Sequence, residues 1–212
     1  MNLLGLATHV LRRGYLRARN GCLVLRAVYR NPGITIGSHV KIETNDLRLF
    51  RAGRGTMIQD FAQITVWGPD PFSPGPGGLR LGENVLICSF ANVIAACGEI
   101  VIEEYCMIAQ HVSLIAANHS LTPGSWYRLQ PLAARKTGIH LEPNVWIGCN
   151  SVVLPGCRVG RNSVVAAGSV VTKNIPPDEI WGGVPARFMR KIASAGSRSG
   201  PADPRVPPMA RG

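Results

Sequence analysis

Residues 141–171 read LEPNVWIGCNSVVLPGCRVGRNSVVAAGSVV, and every sixth position is aliphatic: Leu141, Ile147, Val153, Val159, Val165 and Val171. The same step links Ile102, Ile108 and Leu114; Leu81, Ile87 and Val93; Ile58 and Ile64; and Ile36 and Ile42. A helix repeats its apolar positions at three and four residues and an isolated strand at two, so a sustained six fits neither as a long element. It fits short strands joined by tight corners. Four residues after each aliphatic position the side chain is usually compact, as at Val85, Ala91, Cys97, Cys106, Val112, Val145, Ser151, Cys157, Ser163 and Ser169. One bulky and one small side chain per strand suit a narrow interior. Three such units make one triangular coil of a parallel β-helix, with coils about 4.8 Å apart. A β-sandwich with irregular strands would not keep one phase over this length.

The chain has 212 residues, enough for one domain with a substantial core. Its formal charge is +11, yet only 17% of residues are charged and 46% are hydrophobic, which excludes a disordered polycation. Residues 1–30 hold six arginines and no acid, and residues 187–212 hold six bases against Asp203, while bases and acids balance between them. A groove that tracks phosphates would draw bases from the body of the fold, so nucleic acid is not an expected partner. Cys97, Cys106 and Cys157 fall in the compact interior column, and Cys22, Cys88 and Cys149 lack metal-site or CxxC spacing. Six free thiols point to a reducing, cytoplasmic setting. No secretory leader is expected, because the charges follow the apolar stretch Met1–Leu11.

Breaks in the phase divide the chain. The expected organisation is a basic amphipathic segment at 1–30, a repeat domain at 31–180, a distinct segment at 181–192 and a disordered Ser/Pro/Gly/Arg tail at 193–212. Within the repeat domain, residues 68–78 form a Pro/Gly loop and residues 120–138 a longer excursion that begins just after His119. Leu3, Leu4, Ala7, Val10, Leu11, Tyr15 and Ala18 share one helical face and Arg12, Arg13, Arg17 and Arg19 lie largely on the other. Such a helix either caps the open end of the solenoid or, through residues 1–20, lies on an anionic membrane.

Four further stretches carry a resemblance: AANHSL at 116–121, NVWIG at 144–148, AAGSVVTKNIPP at 166–177 and GGVPARFMRKI at 182–192. With the six-residue repeat, they make residues 78–192 resemble the hexapeptide-repeat acyltransferases, in particular sugar O-acetyltransferases of the maltose, galactoside and exopolysaccharide-biosynthesis type. The resemblance implies a left-handed all-β solenoid with a protruding loop and short terminal helices. It also implies a homotrimer with active sites between subunits, and acetyl coenzyme A as acyl donor with no metal required.

Carried over residue by residue, the resemblance makes His119 the general base. A sugar hydroxyl is almost fully protonated at neutral pH, and an imidazole, with an ordinary pKa of about 6.5, can accept its proton. Asn118 falls by the spacing in the small interior column and, with Cys88, sits on the acceptor side; relatives often carry an acceptor-contacting Asn where this chain has Cys88. The main chain at Gly148–Cys149 is the expected oxyanion donor. The main chain near Ala167 and Gly168 is expected to bind the pantetheine arm, and Trp146 to wall the thiol end or pack in the core. Thr172, Lys173, Arg187 and Arg190 match positions that meet coenzyme phosphates; for Arg190 and Lys191 the alternative is a solvated helix face.

Three rival readings stand beside this one. The same fold can N-acetylate an amino sugar or antibiotic. A β-helix metalloenzyme of the carbonic anhydrase type would need three His ligands, for which His111, His119 and His140 are wrongly spaced. A scaffold or membrane-surface module would bind no coenzyme.

Overall fold

The computed structural model describes residues 18–193. Residues 18–30 are helical, and the regular structure after them is short strands joined by turns, with 3-10 turns at Leu47–Leu49 and Tyr127–Leu129. The strands fall into three sheets visited in strict rotation. The first face contains Thr35–Ile36, Met57–Ile58, Leu86–Ile87, Met107–Ile108, Trp146–Ile147, Val164–Val165 and Glu179–Gly182. The second contains Lys41–Thr44, Gln63–Trp67, Asn92–Ala96, Ser113–Ile115, Val152–Val153 and Val170–Val171. The third contains Phe50–Ala52, Gly78–Leu81, Glu99–Ile102, Ile139–Leu141 and Cys157–Val159, and Ile175 extends it by a bridge to Val159. Each strand in this rotation pairs in parallel with its counterpart in the coils above and below.

The six-residue phase is the inward register of these faces. Ile58, Ile87, Ile108, Ile147 and Val165 stack in one column of the first face, each paired with the next. Of the sixteen aliphatic repeat positions, all but Ile36, in the outermost coil, are buried. The compact column is buried as well. Its hydroxyls are satisfied by carbonyls at the corners: Ser151 Oγ donates to Ala166 O (3.0 Å) and Ser163 Oγ to Pro176 O (2.7 Å). Gly148 shows why a residue without Cβ follows a repeat aliphatic: an added Cβ would lie 2.6 Å from the Ala167 amide nitrogen of the next coil.

The two ends are closed differently. On the 18–30 helix, Leu23, Val24 and Ala27 pack on the core, while two asparagines bond the exposed edge of the first coil. Asn20 donates to Val40 O (2.8 Å) and accepts from Ile42 N (2.9 Å), and Asn31 accepts from Ala52 N (2.8 Å). This part of the N-terminal segment is therefore a cap; most of the residues read as a basic amphipathic helix, 1–17, lie outside the described region, as do residues 194–212 of the expected tail. At the other end Trp181 is buried over the last coil. Arg187–Lys191 then returns antiparallel against Glu179–Gly182. The expected C-terminal helix is absent among the described residues. Gly182, Gly183 and Pro185 favour a turn over a helix, and the strand that follows pairs with the sheet edge.

The outer faces differ in chemistry. Along the first, Met57, Leu86, Met107, Trp146, Val164 and Ile180 are in register and form a continuous apolar row. The third is charged: Arg80 meets Glu99 (2.9 Å), Arg158 meets Glu142, and His140 meets Glu103.

Because the inward column has no slack, Ile147→Ala is expected to lower unfolding free energy by about 2–5 kcal/mol. The outward Val152→Ala should cost well under half of that, and equilibrium denaturant titration of both variants checks the difference.

Candidate active site

Both long excursions leave the coil at one corner, between the second and third faces. The first is the Gly68–Gly77 loop, one residue shorter than the sequence suggested because Gly78 already pairs in the third face. The second runs from Ala116 to Gly138. Its two limbs meet through a bridge between His119 and Leu132, with Ser120 N donating to Pro131 O (2.9 Å) and Ala133 N to Asn118 O (2.7 Å). The loops touch: Leu132 N donates to Phe72 O (2.7 Å), and the buried Cys97 lies between them, its thiol accepting from Gly75 N (3.2 Å). The result is a braced arm.

Gln130 is the pin of that arm. It is buried among otherwise exposed loop residues, and its carboxamide is saturated, with Oε1 accepting from Thr122 N (2.8 Å) and Nε2 donating to Thr122 O and Ser125 O (both 3.1 Å). Its own carbonyl lies 3.1 Å from His119 Nδ1. A carbonyl can only accept, so in the neutral imidazole Nδ1 holds the proton and Nε2 the lone pair. His119 is exposed at the foot of the arm, and the arm fixes its tautomer.

Asn118 is not interior. The strand before it turns Leu114 and Ala116 inward at a period of two, and the chain has left the coil by residue 118, which is exposed. Trp146 is also outward, 47% exposed, in the apolar row of the first face; the core alternative is excluded.

Cys88, Cys149 and Ala167 lie at a different corner, between the first and second faces, in three coils of one stack. Cys88 is buried, and burial, with Cys149 nearby, raises its thiol pKa. Cys149 is half-buried with its thiol 3.1 Å from Gln110 Oε1. At this corner lower in the stack, side chains cap two of the four equivalent turn amides, Asp60 Oδ1 on Ser38 N (2.8 Å) and Gln59 Oε1 on Ser89 N (3.3 Å), and those of Asp60 and Gln110 have no protein acceptor among the described residues. The amides of Cys149 and Ala167 donate to no protein group among the described residues. The same corner carries a stacked ladder of His39, Phe61, Phe90 and His111, with centroids 4.9–5.1 Å apart.

Thr172 and Lys173 lie at the arm's corner, two coils further along. The Lys173 ammonium stands 5.1 Å over the Trp181 ring, and Arg187 and Arg190 project from the exposed terminal strand. One chain therefore divides the predicted residues between two corners. His119, Thr172 and Lys173 occupy one, and Cys88, Cys149 and Ala167 the other, with the whole second face between them. Gln130, the ladder and the joint between the loops were not anticipated. A single Gln in a polar loop has no periodic signal, whereas the ladder could have been found by reading His39, Phe61, Phe90 and His111 as corner positions.

Comparison with known proteins fits this architecture. Residues 138–173 match the bacterial transferase hexapeptide (six repeats) family. A galactoside O-acetyltransferase from Escherichia coli is 35% identical over 150 residues, covering 66% of this chain and 68% of the relative. One from Lactococcus lactis is 37% identical over 124 residues, 58% of each chain, so this chain spans little more than half of that relative's length. Among solved structures, a hexapeptide-repeat acetyltransferase from Vibrio cholerae, crystallised with acetyl coenzyme A, superposes with a TM-score of 0.52 at 23% identity. The superposition covers 85% of this chain and 89% of that one. The chain belongs to the hexapeptide-repeat acetyltransferase family.

Gln130→Ala removes three hydrogen bonds to the loop main chain, at a local cost of about 0.5–1.5 kcal/mol each. Hydrogen exchange at Thr122 and Gln130 is expected to accelerate at least tenfold while that of the coil amides stays unchanged. Thiol alkylation near pH 8 should modify Cys22 and Cys149 in the folded protein and spare Cys106, whose pKa burial pushes up to about 11; Cys88 and Cys157 are raised in the same direction. Peptide mass mapping reads the difference.

Proposed function

We propose that this chain is an acetyl coenzyme A-dependent O-acetyltransferase acting on a hydroxyl of a sugar or surface-polysaccharide intermediate, in the cytoplasm. The observation that carries the reading is the His119–Gln130 contact, which leaves Nε2 as an exposed, oriented base at the foot of a braced arm. The family membership supports acyl transfer. The acetyl coenzyme A bound by the Vibrio cholerae relative supports the donor, and the galactoside enzymes support a sugar acceptor.

In the proposed reaction His119 Nε2 takes the acceptor's hydroxyl proton as the oxygen attacks the thioester carbonyl. The oxyanion of the tetrahedral intermediate is held by the Cys149 amide, and collapse expels the coenzyme thiolate, which takes the proton back from the imidazolium. The Ala167 amide binds the pantetheine arm, Trp146 lines the thiol end, and Thr172, Lys173, Arg187 and Arg190 meet the phosphates. Cys88 and Asn118 face the acceptor.

The solenoid in this reading is left-handed, spans 31–180 and is followed by the coenzyme-contacting segment 181–192. The division of the residues between two corners favours a homotrimer in which the His119 corner of one copy meets the Cys149 corner of the next. The apolar row on the first face offers a surface for that packing.

His119→Ala is expected to lower kcat/KM for thiol release by about 10²–10⁴-fold without loss of folding. A rate within a few-fold of the unsubstituted protein would exclude His119 as the base. Mixing inactive His119→Ala with inactive Ala167→Arg chains, after denaturation and refolding together, is expected to restore part of the activity, since some interfaces then hold two intact corners. Absence of any restoration would argue for a site within one chain.

A further inference from the structure

The 18–30 helix has two apolar faces, and only one of them is used. Asn20, Leu23, Val24, Ala27 and Asn31 point into the coil. On the opposite side Ala18, Cys22, Leu25 and Tyr29, spaced by four, three and four residues, form a second stripe along the helix. Leu25 is 72% and Tyr29 88% exposed, and Val28 flanks them. An ordinary capping helix turns polar residues to solvent, so an outward apolar stripe needs its own explanation.

Charge supplies it. At 100° per residue, Arg19, Arg26 and Arg30 fall together along one flank of the stripe. Arg30 then joins Arg48, Arg51 and Arg80 around an open depression of about 450 Å³. Residues 18–54 contain seven bases and two acids, and both acids are already engaged, Glu43 by Lys41 (2.6 Å) and Asp46 by Arg48 (2.8 Å). Arg19, Arg26, Arg30 and Arg51 form no ion pair among the described residues. Residues 1–17 add three arginines and no acid. A second copy docked on this end would bring two cationic surfaces together. A nucleic acid would satisfy the arginines and leave Leu25 and Val28 against phosphate. An apolar stripe with a cationic flank matches an anionic bilayer, whose acyl boundary takes the stripe and whose headgroups take the guanidinium groups.

We propose that the capped end of the coil docks on an anionic membrane surface through the outward face of the 18–30 helix and the arginine rim Arg26, Arg30 and Arg51. The proposed contact is peripheral, and no helix among the described residues is long and apolar enough to cross a membrane. The surface involves none of the residues assigned to the reaction and stands independently of it.

Co-sedimentation of the full chain with vesicles is the test. Binding is expected to vesicles of phosphatidylcholine with phosphatidylglycerol, weakly or not at all to phosphatidylcholine alone, and less as salt rises. Leu25→Glu with Tyr29→Glu, and separately Arg26→Glu with Arg30→Glu, should each weaken binding roughly tenfold or more while melting temperature and thiol release are unchanged. Wild-type binding by the Leu25/Tyr29 variant would overturn the proposal, even if the Arg26/Arg30 variant bound weakly. Binding of single-stranded RNA that the Arg26/Arg30 variant loses and the Leu25/Tyr29 variant keeps, or a fall in oligomer mass on Leu25→Glu, would overturn it in favour of nucleic acid or self-association.

Discussion

Every strand in this protein depends on the hydrogen-bonded spacing between one coil and the next. With backbones stacked at about 4.8 Å, each inward side chain has a fixed allotment of height. Ile, Leu and Val fill it along the faces, and Val, Ala, Ser and Cys fit beside the corners. A one-residue slip would turn the whole aliphatic column outward. The repeat is thus a packing condition, and insertions survive only where they leave the coil altogether. The protein uses one corner for this, at residues 68–77 and again at 116–138.

That corner concentrates everything irregular. The arm is held by two limbs paired with one another, by the neighbouring loop and by one buried carboxamide, which is enough to aim an imidazole from a segment with almost no core of its own. Rigidity comes from saturated polar contacts where apolar burial is not available. The opposite corner holds main-chain amides without a protein acceptor among the described residues, set in place by the coils themselves, so in the proposed reaction the two halves of the chemistry are oriented by different physics.

The coil was legible in the sequence because its period is long, strict and chemically simple. His119 draws attention in the sequence because it stands where the period stops. Asn118 was misplaced for the same reason: counting by six from Val112 carries an interior phase into a segment that has left the coil after Ala116. The closing Arg187–Lys191 strand could not be told from a helix by periodicity, since all five of its residues are exposed and neither face is buried. Gln130 was invisible because its burial comes from the fold of the arm, not from any pattern around it. The charge balance at 31–186 concealed an uneven distribution, because acids gathered between Asp60 and Glu104 offset bases on either side of them.

The carboxamides of Asn20 and Asn31 are peptide units carried on side chains, and they occupy the places where another coil's backbone would bond. An open stack of parallel strands is otherwise a template that any extended chain can lengthen, as in a fibre. By taking amides from the capping segment, the first coil keeps its hydrogen bonds while losing the ability to seed a further layer. Two asparagines thus set the length of the molecule at that end as firmly as a stop codon sets the length of the chain.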